Sequence, residues 1–199
     1  LIARGAVAGG DRLGGECAGE VVAVGPGVAG LRPGVEVIAV GAGALAHHLR
    51  TAADLCVPKP SELSFHAAAA LPIAGATAWH ALHRLAKLKA GQRVLIHSAT
   101  GGVGQMALRL AQRLGAEVVA TAGTEVRRAW LAGQGVAEVH SSRDLGFAKA
   151  RPVDVVLNAL VGEGRLASLQ LLRPGGCFVE IGRVDVMSAA EVARVRPDI

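Results

Sequence analysis

Residues 93–104 read Arg93-Val94-Leu95-Ile96-His97-Ser98-Ala99-Thr100-Gly101-Gly102-Val103-Gly104, and this stretch decides the fold. The apolar run at 93–97 predicts a buried strand, and the apolar stripe at 103–114 predicts a helix. In the glycine-rich turn between them, Ala99, Gly101 and Gly104 take the three glycine positions of the pattern GxGxxG, with Ala99 as a departure. A strand, this turn and an amphipathic helix in succession predict a dinucleotide site with the pyrophosphate at the helix N-terminus.

Strands and helices alternate downstream of this turn. Further strands are predicted at 117–121, 136–140, 153–157 and 177–181, with helices beginning at 126 and spanning 166–172. Because the strands are nearly continuous in Val, Ile and Leu, we expect a parallel sheet covered on both faces. The predicted fold class is α/β, with a Rossmann-type doubly wound parallel sheet.

Upstream of the turn the sequence pattern changes. Residues 13–60 read as short strands, at 20–24 and 35–40, broken by glycine and proline. Ser64 is a candidate cap for a helix at 65–70, Pro72 interrupts that helix, and helical periodicity resumes at 76–88. We therefore expect part of a β-rich lobe at 1–71 and the nucleotide-binding domain at 72–199.

The composition excludes several classes of protein. With 51% hydrophobic and 19% charged residues the chain is not intrinsically disordered, and its net charge of +5 is spread without a basic run, so nucleic-acid binding is not expected. We expect no membrane span. The three cysteines lack CxxC spacing, which predicts small buried side chains in a reducing cytoplasm and neither disulfides nor a metal site. There is no Tyr, so this chain alone cannot supply a phenol.

The end of the second strand indicates which dinucleotide binds. An NAD enzyme places a carboxylate there for the ribose 2'-hydroxyl, whereas this chain has Thr121 and then Ala122 and Gly123. Arg127 and Arg128 follow and could reach a 2'-phosphate, unless they form a solvated helix face. Glu125 is a mild contrary signal, but the pattern favours NADPH.

Two further segments follow predicted strands at the edge where α/β sheets bind ligands. Asn158-Ala159-Leu160 follows the fourth strand, where Asn158 could instead satisfy a local turn. Gly182-Arg183 follows the fifth strand, and there Arg183 could simply face solvent.

With these motifs in view, the sequence resembles a known family, the enoyl reductase domains of modular polyketide synthases and animal-type fatty acid synthases. These are zinc-free members of the medium-chain dehydrogenase/reductase superfamily. Nearly the whole chain contributes to the resemblance, in segments beyond the glycine turn: Leu13-Gly14-Gly15-Glu16-Cys17-Ala18-Gly19, Thr77-Ala78-Trp79-His80-Ala81-Leu82, Ser141-Ser142-Arg143-Asp144, Asp154-Val155-Val156-Leu157-Asn158-Ala159-Leu160 and Phe178-Val179-Glu180-Ile181-Gly182-Arg183.

The resemblance implies NADPH-dependent reduction of an α,β-enoyl thioester carried on the phosphopantetheine arm of an acyl carrier protein. It also implies a GroES-like substrate lobe and neighbouring synthase domains as partners, with a homodimer left open. By position in the family pattern, Thr77 and residues 158–160 would lie by the nicotinamide. The turn, including Thr100, Gly102 and Val103, would lie by the pyrophosphate. The adenosine end would be surrounded by Thr121, Gly123 and Arg127.

Two departures from the family pattern bear on catalysis. The family's Gly-Thr/Ser-x-x-Lys stretch is Gly123-Thr124-Glu125-Val126-Arg127 here, and an arginine keeps the phosphate role but is a poor acid. Asp144 resembles the acidic partner of that lysine, or caps a helix at 145–150. Arg127 and Asp144 are therefore the catalytic candidates. The family's tyrosine lies in a segment upstream of Leu1, and its C-terminal return would follow Ile199.

Three histidines are candidates for proton transfer. His47 and His48 match a family strand and His97 ends the first strand of the predicted parallel sheet, but each is expected to be packed or exposed and not to transfer protons.

The chain begins and ends inside predicted elements, so we expect a fragment. The rivals are a free-standing zinc-free quinone or enone reductase and a non-catalytic remnant that still binds nucleotide.

Overall fold

A computed structural model describes residues 12–199. The chain divides into two compact units between Ala76 and Thr77, shortly after the boundary expected between residues 71 and 72. Each unit is built around its own sheet, and the two sheets differ in strand direction.

The first unit is an antiparallel sheet with one short helix packed on it. Its strands are β1 (Glu16–Glu20), β2 (Glu36–Val40) and β3 (Cys56–Pro58), in the order β1-β2-β3, with a 3₁₀ helix at Ala53–Leu55 and α1 at Phe65–Ala69. The predicted cap of α1 is confirmed, because the hydroxyl of Ser64 accepts a hydrogen bond from the amide of Ala67 at 3.2 Å.

The strand predicted at residues 20–24 is wrong. The hairpin places Glu16 opposite Val40 and Glu20 opposite Glu36, and the Val21 amide then donates to the Val35 carbonyl at 2.9 Å, where the ladder ends. Val22 and Val24 are exposed beyond it. Residues 21–24 have the apolar composition of a strand, but the strand is β1, in the segment before them that contains Gly19.

Other expectations about the first part of the chain also change. The segment holding His47 and His48 is not a strand, and both histidines are exposed. Pro72 does not interrupt a helix but begins α2 (Pro72–Trp79), as suits a residue with no amide hydrogen in a first turn. A π-helix at His80–Leu85 follows α2 directly. The three cysteines are free and half-buried rather than fully buried.

The second unit confirms the predicted doubly wound α/β fold. Its remaining elements are β4 (Arg93–Ile96), α3 (Gly102–Arg113), β5 (Glu117–Ala122), α4 (Glu125–Gly133), β6 (Glu138–Ser141), a 3₁₀ helix at Gly146–Lys149, β7 (Val153–Asn158), α5 (Gly162–Leu171), β8 (Leu172–Glu180) and α6 (Ala189–Val195). None of the described helices is both long and apolar enough to cross a bilayer.

The strand order of this sheet locates its ligand crevice. The five strands are parallel and lie in the order β6-β5-β4-β7-β8. The chain therefore adds β5 and β6 on one side of β4 and then β7 and β8 on the other side. Apolar clusters cover both faces, one including Ala107 and Leu131 and the other including Phe147 and Leu171. Because ligands bind at the carboxyl ends of the strands where the order reverses, the segments after β4 and β7 flank the expected crevice.

The opposite, amino edge of the sheet is held by one buried cation. Arg93 is 2% exposed, and its guanidinium donates to Glu117 Oε1 at 2.9 Å, to the Arg151 carbonyl at 2.5 Å and to the Glu138 carboxylate. Its amide donates to Asp154 Oδ2 at 2.7 Å. One residue therefore joins the starts of β4, β5 and β6 and the approach to β7.

Replacing Arg93 with alanine should destabilise the second unit by about 3 kcal/mol, because several carboxylate and carbonyl groups lose a buried partner at once. The measurement is urea unfolding followed by the fluorescence of Trp79 and Trp130, with exposed Arg109→Ala on α3 as the control. Unfolding midpoints that coincide for the two variants would contradict this role.

Candidate functional site

The turn after β4 is tightly built. Ser98 has a φ of +51°, a left-handed conformation that non-glycine residues rarely adopt. The Gly101 amide donates to the Ser98 carbonyl at 2.8 Å, and the exposed Gly101 precedes the first residue of α3 with a φ of −76° and a ψ of 170°. The turn thus directs an open stretch of backbone to the N-terminus of α3, where an anion would be stabilised.

Gly104 lets α3 approach this turn closely. A Cβ atom at Gly104 would lie 2.5 Å from the Ser98 carbonyl oxygen and 2.6 Å from the Ala99 Cα. Ala99 is itself fully buried. Gly104 therefore has the packing role of the third fingerprint glycine, and the alanine in the first position fits without opening the turn.

The carboxyl end of β5 differs from the sequence-based prediction. Thr121 is not at the end of the strand, because β5 continues to Ala122, which pairs with Ser141 of β6. The Thr121 side chain is fully buried, and the first residue after the strand is the half-buried Gly123. Gly123 also lacks a carboxylate, so the expectation of NADPH can be argued from Gly123 in place of Thr121.

Arg143, which the sequence-based reasoning did not select, lies over Gly123. A Cβ atom at Gly123 would be 3.2 Å from the Arg143 Nε and 3.5 Å from its Nη2. Arg143 follows β6, and the strand order makes β6 the neighbour of β5. The sequence signal was the Ser-Ser-Arg-Asp segment after the third parallel strand, but topology was needed to bring it to Gly123.

The two arginines selected from the sequence lie on α4, which begins just after Gly123. The Arg127 side chain is exposed, and its amide donates at 3.4 Å to the hydroxyl of Thr124, the helix cap. Arg128 is half-buried, and its Nη1 donates at 3.4 Å to the carbonyl of Ala122 at the end of β5.

Asp144 has a local structural role. Its Oδ1 accepts a hydrogen bond from the Gly146 amide at 2.8 Å, at the start of the 3₁₀ helix that replaces the longer helix expected at 145–150. That bond, aided by Ser141 and by the positive charge of Arg128, holds the pKa of Asp144 below its ordinary value. Its carboxylate is therefore ionised at neutral pH and interacts with the charge of Arg128.

Asn158 and Glu180 tie together the segments after β7 and β8. The buried Asn158 amide group donates to the Leu160 carbonyl and to Glu180 Oε2, each at 2.8 Å, and its Oδ1 accepts from the Leu160 amide at 3.2 Å. Glu180 Oε1 accepts from the Gly182 amide at 2.7 Å. The Asn158 side chain is thus occupied locally, as its alternative interpretation expected, and Glu180, which sequence reasoning missed, fixes the turn at Gly182.

The remaining predicted residues have simpler surroundings. Thr77 is half-buried in α2, Ala159 and Leu160 are half-buried after β7, and Arg183 is exposed after β8. His97 is buried and packed, as expected from the sequence, with its ring edge-on to Phe147 at 4.8 Å between centroids. Within residues 12–199, no group of three or more His, Cys, Asp or Glu side chains could hold a metal ion.

The chain is similar in sequence and in structure to known proteins. A family model described as zinc-binding dehydrogenase matches residues 102–197. The spectinabilin polyketide synthase system protein NorB of Streptomyces orinoci is 49% identical over 199 residues, covering 97% of this chain and 9% of that protein. The crystal structure of CurK enoyl reductase matches with a TM-score of 0.90 and 41% identity, over 94% of this chain and 58% of that one.

A third match covers most of a smaller protein. The nucleotide-binding subdomain of the enoylreductase domain of PpsC from Mycobacterium tuberculosis is 41% identical, with a TM-score of 0.56, over 62% of this chain and 76% of that one. The chain belongs to the enoyl reductase family of polyketide synthases. As an enoyl reductase sequence it spans under a tenth of the NorB synthase and 58% of CurK enoyl reductase.

Replacing Gly104 with alanine should destabilise this enoyl reductase chain by about 1–3 kcal/mol, because the new methyl group meets backbone atoms that cannot move aside. The control is Gly133→Ala near the end of α4, where a Cβ would meet nothing within 4 Å. Thermal unfolding of both variants is the measurement. A Gly104→Ala variant as stable as Gly133→Ala would show that α3 can move away from the turn.

Proposed function

We propose that this chain is part of a domain that uses NADPH to reduce an α,β-enoyl thioester on an acyl carrier protein to the saturated acyl thioester. The neighbouring domains of a synthase are its proposed partners, and the cytoplasm its proposed compartment. The observation that carries the proposal is the carboxyl edge of the parallel sheet, where the glycine turn after β4 lies beside a β5 end that carries arginines.

The residues at this edge fit a dinucleotide. Gly101 and Gly102 are exposed at the start of α3, and Gly104 lets the helix reach the turn. We infer that this backbone holds the pyrophosphate, with Thr100 and Val103 beside it. The segments after β7 and β8, including Ala159, Leu160 and Arg183, would border the nicotinamide ribose.

The charge at the end of β5 favours a phosphorylated ribose. Gly123 carries no side chain, and the Arg143 guanidinium lies beside it, with Nε 3.2 Å from the position that a Cβ atom would take. Arg127 and Arg128 add positive charge from the first turns of α4, and a guanidinium donates charge-assisted hydrogen bonds to phosphate. We propose that Arg143 and Arg127 hold the 2'-phosphate, while Arg128 donates to the Ala122 carbonyl at 3.4 Å.

The reduction requires a hydride and a proton. The nicotinamide supplies the hydride when it is bound, and the chain's own residues orient the cofactor. Asp144 has no proton to give at neutral pH because its lowered pKa keeps the carboxylate ionised. Arg127 is a poor proton donor because a guanidinium hardly deprotonates. We therefore propose that both act through charge at the cofactor site and that the proton reaches the α-carbon from another group.

Replacing Arg143 with alanine should weaken NADPH binding about tenfold to hundredfold, the cost of losing charged hydrogen bonds to a phosphate, while NADH binding stays unchanged. Isothermal titration with each nucleotide is the measurement. Arg113→Ala is the matched control, because Arg113 is exposed in the last turn of α3, at the opposite edge of the sheet. Equal losses for NADPH and NADH would exclude a phosphate-specific role.

Arg127→Ala should act in the same direction but more weakly, about threefold to tenfold on NADPH, because this side chain is exposed and salt screens it. Titrations at low and high salt should show a larger difference between variant and parent at low salt. An NADPH affinity unaffected at either salt concentration would leave Arg143 as the phosphate ligand without Arg127.

The activity is tested with the enoyl reductase polypeptide that contains this chain. Oxidation of NADPH should accelerate on addition of crotonyl-pantetheine thioester and yield the butyryl thioester. Rapid NADPH oxidation with a quinone but not with the thioester would support the free-standing reductase instead. Tight NADPH binding without turnover on either acceptor would support a non-catalytic, nucleotide-binding remnant.

A further inference from the structure

We propose that His97 is a positioning residue that holds the glycine turn in its binding conformation and links it to α5. His97 lies at the end of β4, directly before Ser98, and is 1% exposed. Its imidazole lies beneath the proposed cofactor edge and not on it. The functional part of this inference rests on the proposed function, because it concerns the affinity of that site for NADPH.

Both ring nitrogens of His97 are engaged. Nδ1 lies 3.0 Å from Thr121 Oγ1 on β5, and Nε2 lies 2.8 Å from Ser168 Oγ on α5. Thr121 and Ser168 are themselves fully buried. The imidazole therefore bridges β5, on one side of β4, and α5, which packs on β7 and β8 on the other side.

The hydrogen-bond directions fix one tautomer. The Ser168 hydroxyl donates its hydrogen to the Gly164 carbonyl at 2.7 Å, so its oxygen accepts a hydrogen bond from the N–H at His97 Nε2. Nδ1 is then an acceptor, and the Thr121 hydroxyl donates to it. Burial lowers the pKa of His97 to about 3, so the ring is neutral at physiological pH and this arrangement persists.

Thr121 transmits this constraint to the glycine turn. With its proton directed to His97, its Oγ1 accepts from the Ser98 amide at 3.3 Å, and its carbonyl accepts from the Ala99 amide at 3.0 Å. Ser98 is the residue with the left-handed φ, a conformation that costs about 1–2 kcal/mol for a side chain other than glycine. The hydrogen bond offsets part of that cost where the turn needs it.

The hydrogen bond from His97 to Ser168 connects the ring to α5, the helix that follows the segment after β7. Ser168 and Gly164 belong to α5, which begins at Gly162, shortly after Asn158 and Leu160. The imidazole thus connects β5 and α5 directly beneath the turn after β4. Pre-organised segments bind a ligand more tightly because less freedom is lost on binding.

The test compares variants of the purified chain by amide hydrogen exchange and by NADPH titration. His97→Phe keeps a ring beside Phe147 but removes both nitrogens. We expect the Ser98 and Ala99 amides to exchange about tenfold faster relative to the core amides of β7, and NADPH binding to weaken about tenfold. His97→Asn retains an acceptor for Thr121 and should restore part of both effects.

Phe147→Leu is the matched control, because it reduces packing against the same ring and leaves the hydrogen bonds of His97 in place. It should lower overall stability while the relative exchange at Ser98 and Ala99 and the NADPH affinity stay at parental values. A merely structural His97 would behave in the same way as this control.

The outcomes separate the two proposals. Unchanged exchange at Ser98 and Ala99 in His97→Phe would overturn the positioning role, whether or not NADPH binds. Faster exchange with unchanged NADPH affinity would overturn its effect on binding. If the parent chain bound no NADPH while His97→Phe still loosened the turn, the proposed cofactor would be wrong and the role of His97 in holding the turn would stand.

Discussion

The close contact between α3 and the end of β4 is the constraint on which the rest of the site depends. A helix can start within reach of a ligand above β4 only if its first turn packs directly on the preceding backbone, and Gly104 makes that contact with Ser98 and Ala99. The contact fixes where the N-terminus of α3 points. Ser98, beside this contact, has a left-handed conformation that the buried hydrogen bonds around His97 and Thr121 support.

The two edges of the parallel sheet use charge differently. At the amino edge, Arg93 is buried and paired with carboxylates that lie on neighbouring strands, so its charge is neutralised locally and holds the strands in register. At the carboxyl edge, Arg127 and Arg143 are exposed near Gly123. The first arrangement stabilises the fold, and we propose that the second binds an anionic group of a ligand.

The sequence predicted the second unit better than the first. Long apolar runs such as 93–97 and 153–157 identify buried parallel strands, and the glycine turn fixed the site next to β4. The failures came where local pattern and tertiary pairing disagree. Val22 and Val24 looked like strand residues but lie beyond a hairpin whose register is set by Glu16 to Glu20, and Thr121 looked terminal because nothing in the sequence shows that Ala122 pairs with Ser141. Arg143 and Glu180 were missed because their roles come from neighbouring strands that are distant in sequence.

The most direct measurement is a crystal structure of the chain with NADPH. It should show the pyrophosphate at the start of α3 beside Gly101 and Gly102, the 2'-phosphate against the Arg143 guanidinium above Gly123, and the nicotinamide ribose near the segment after β7. A dinucleotide bound with its adenosine ribose away from Gly123, or with the 2'-phosphate free of Arg143 and Arg127, would contradict this assignment of the site.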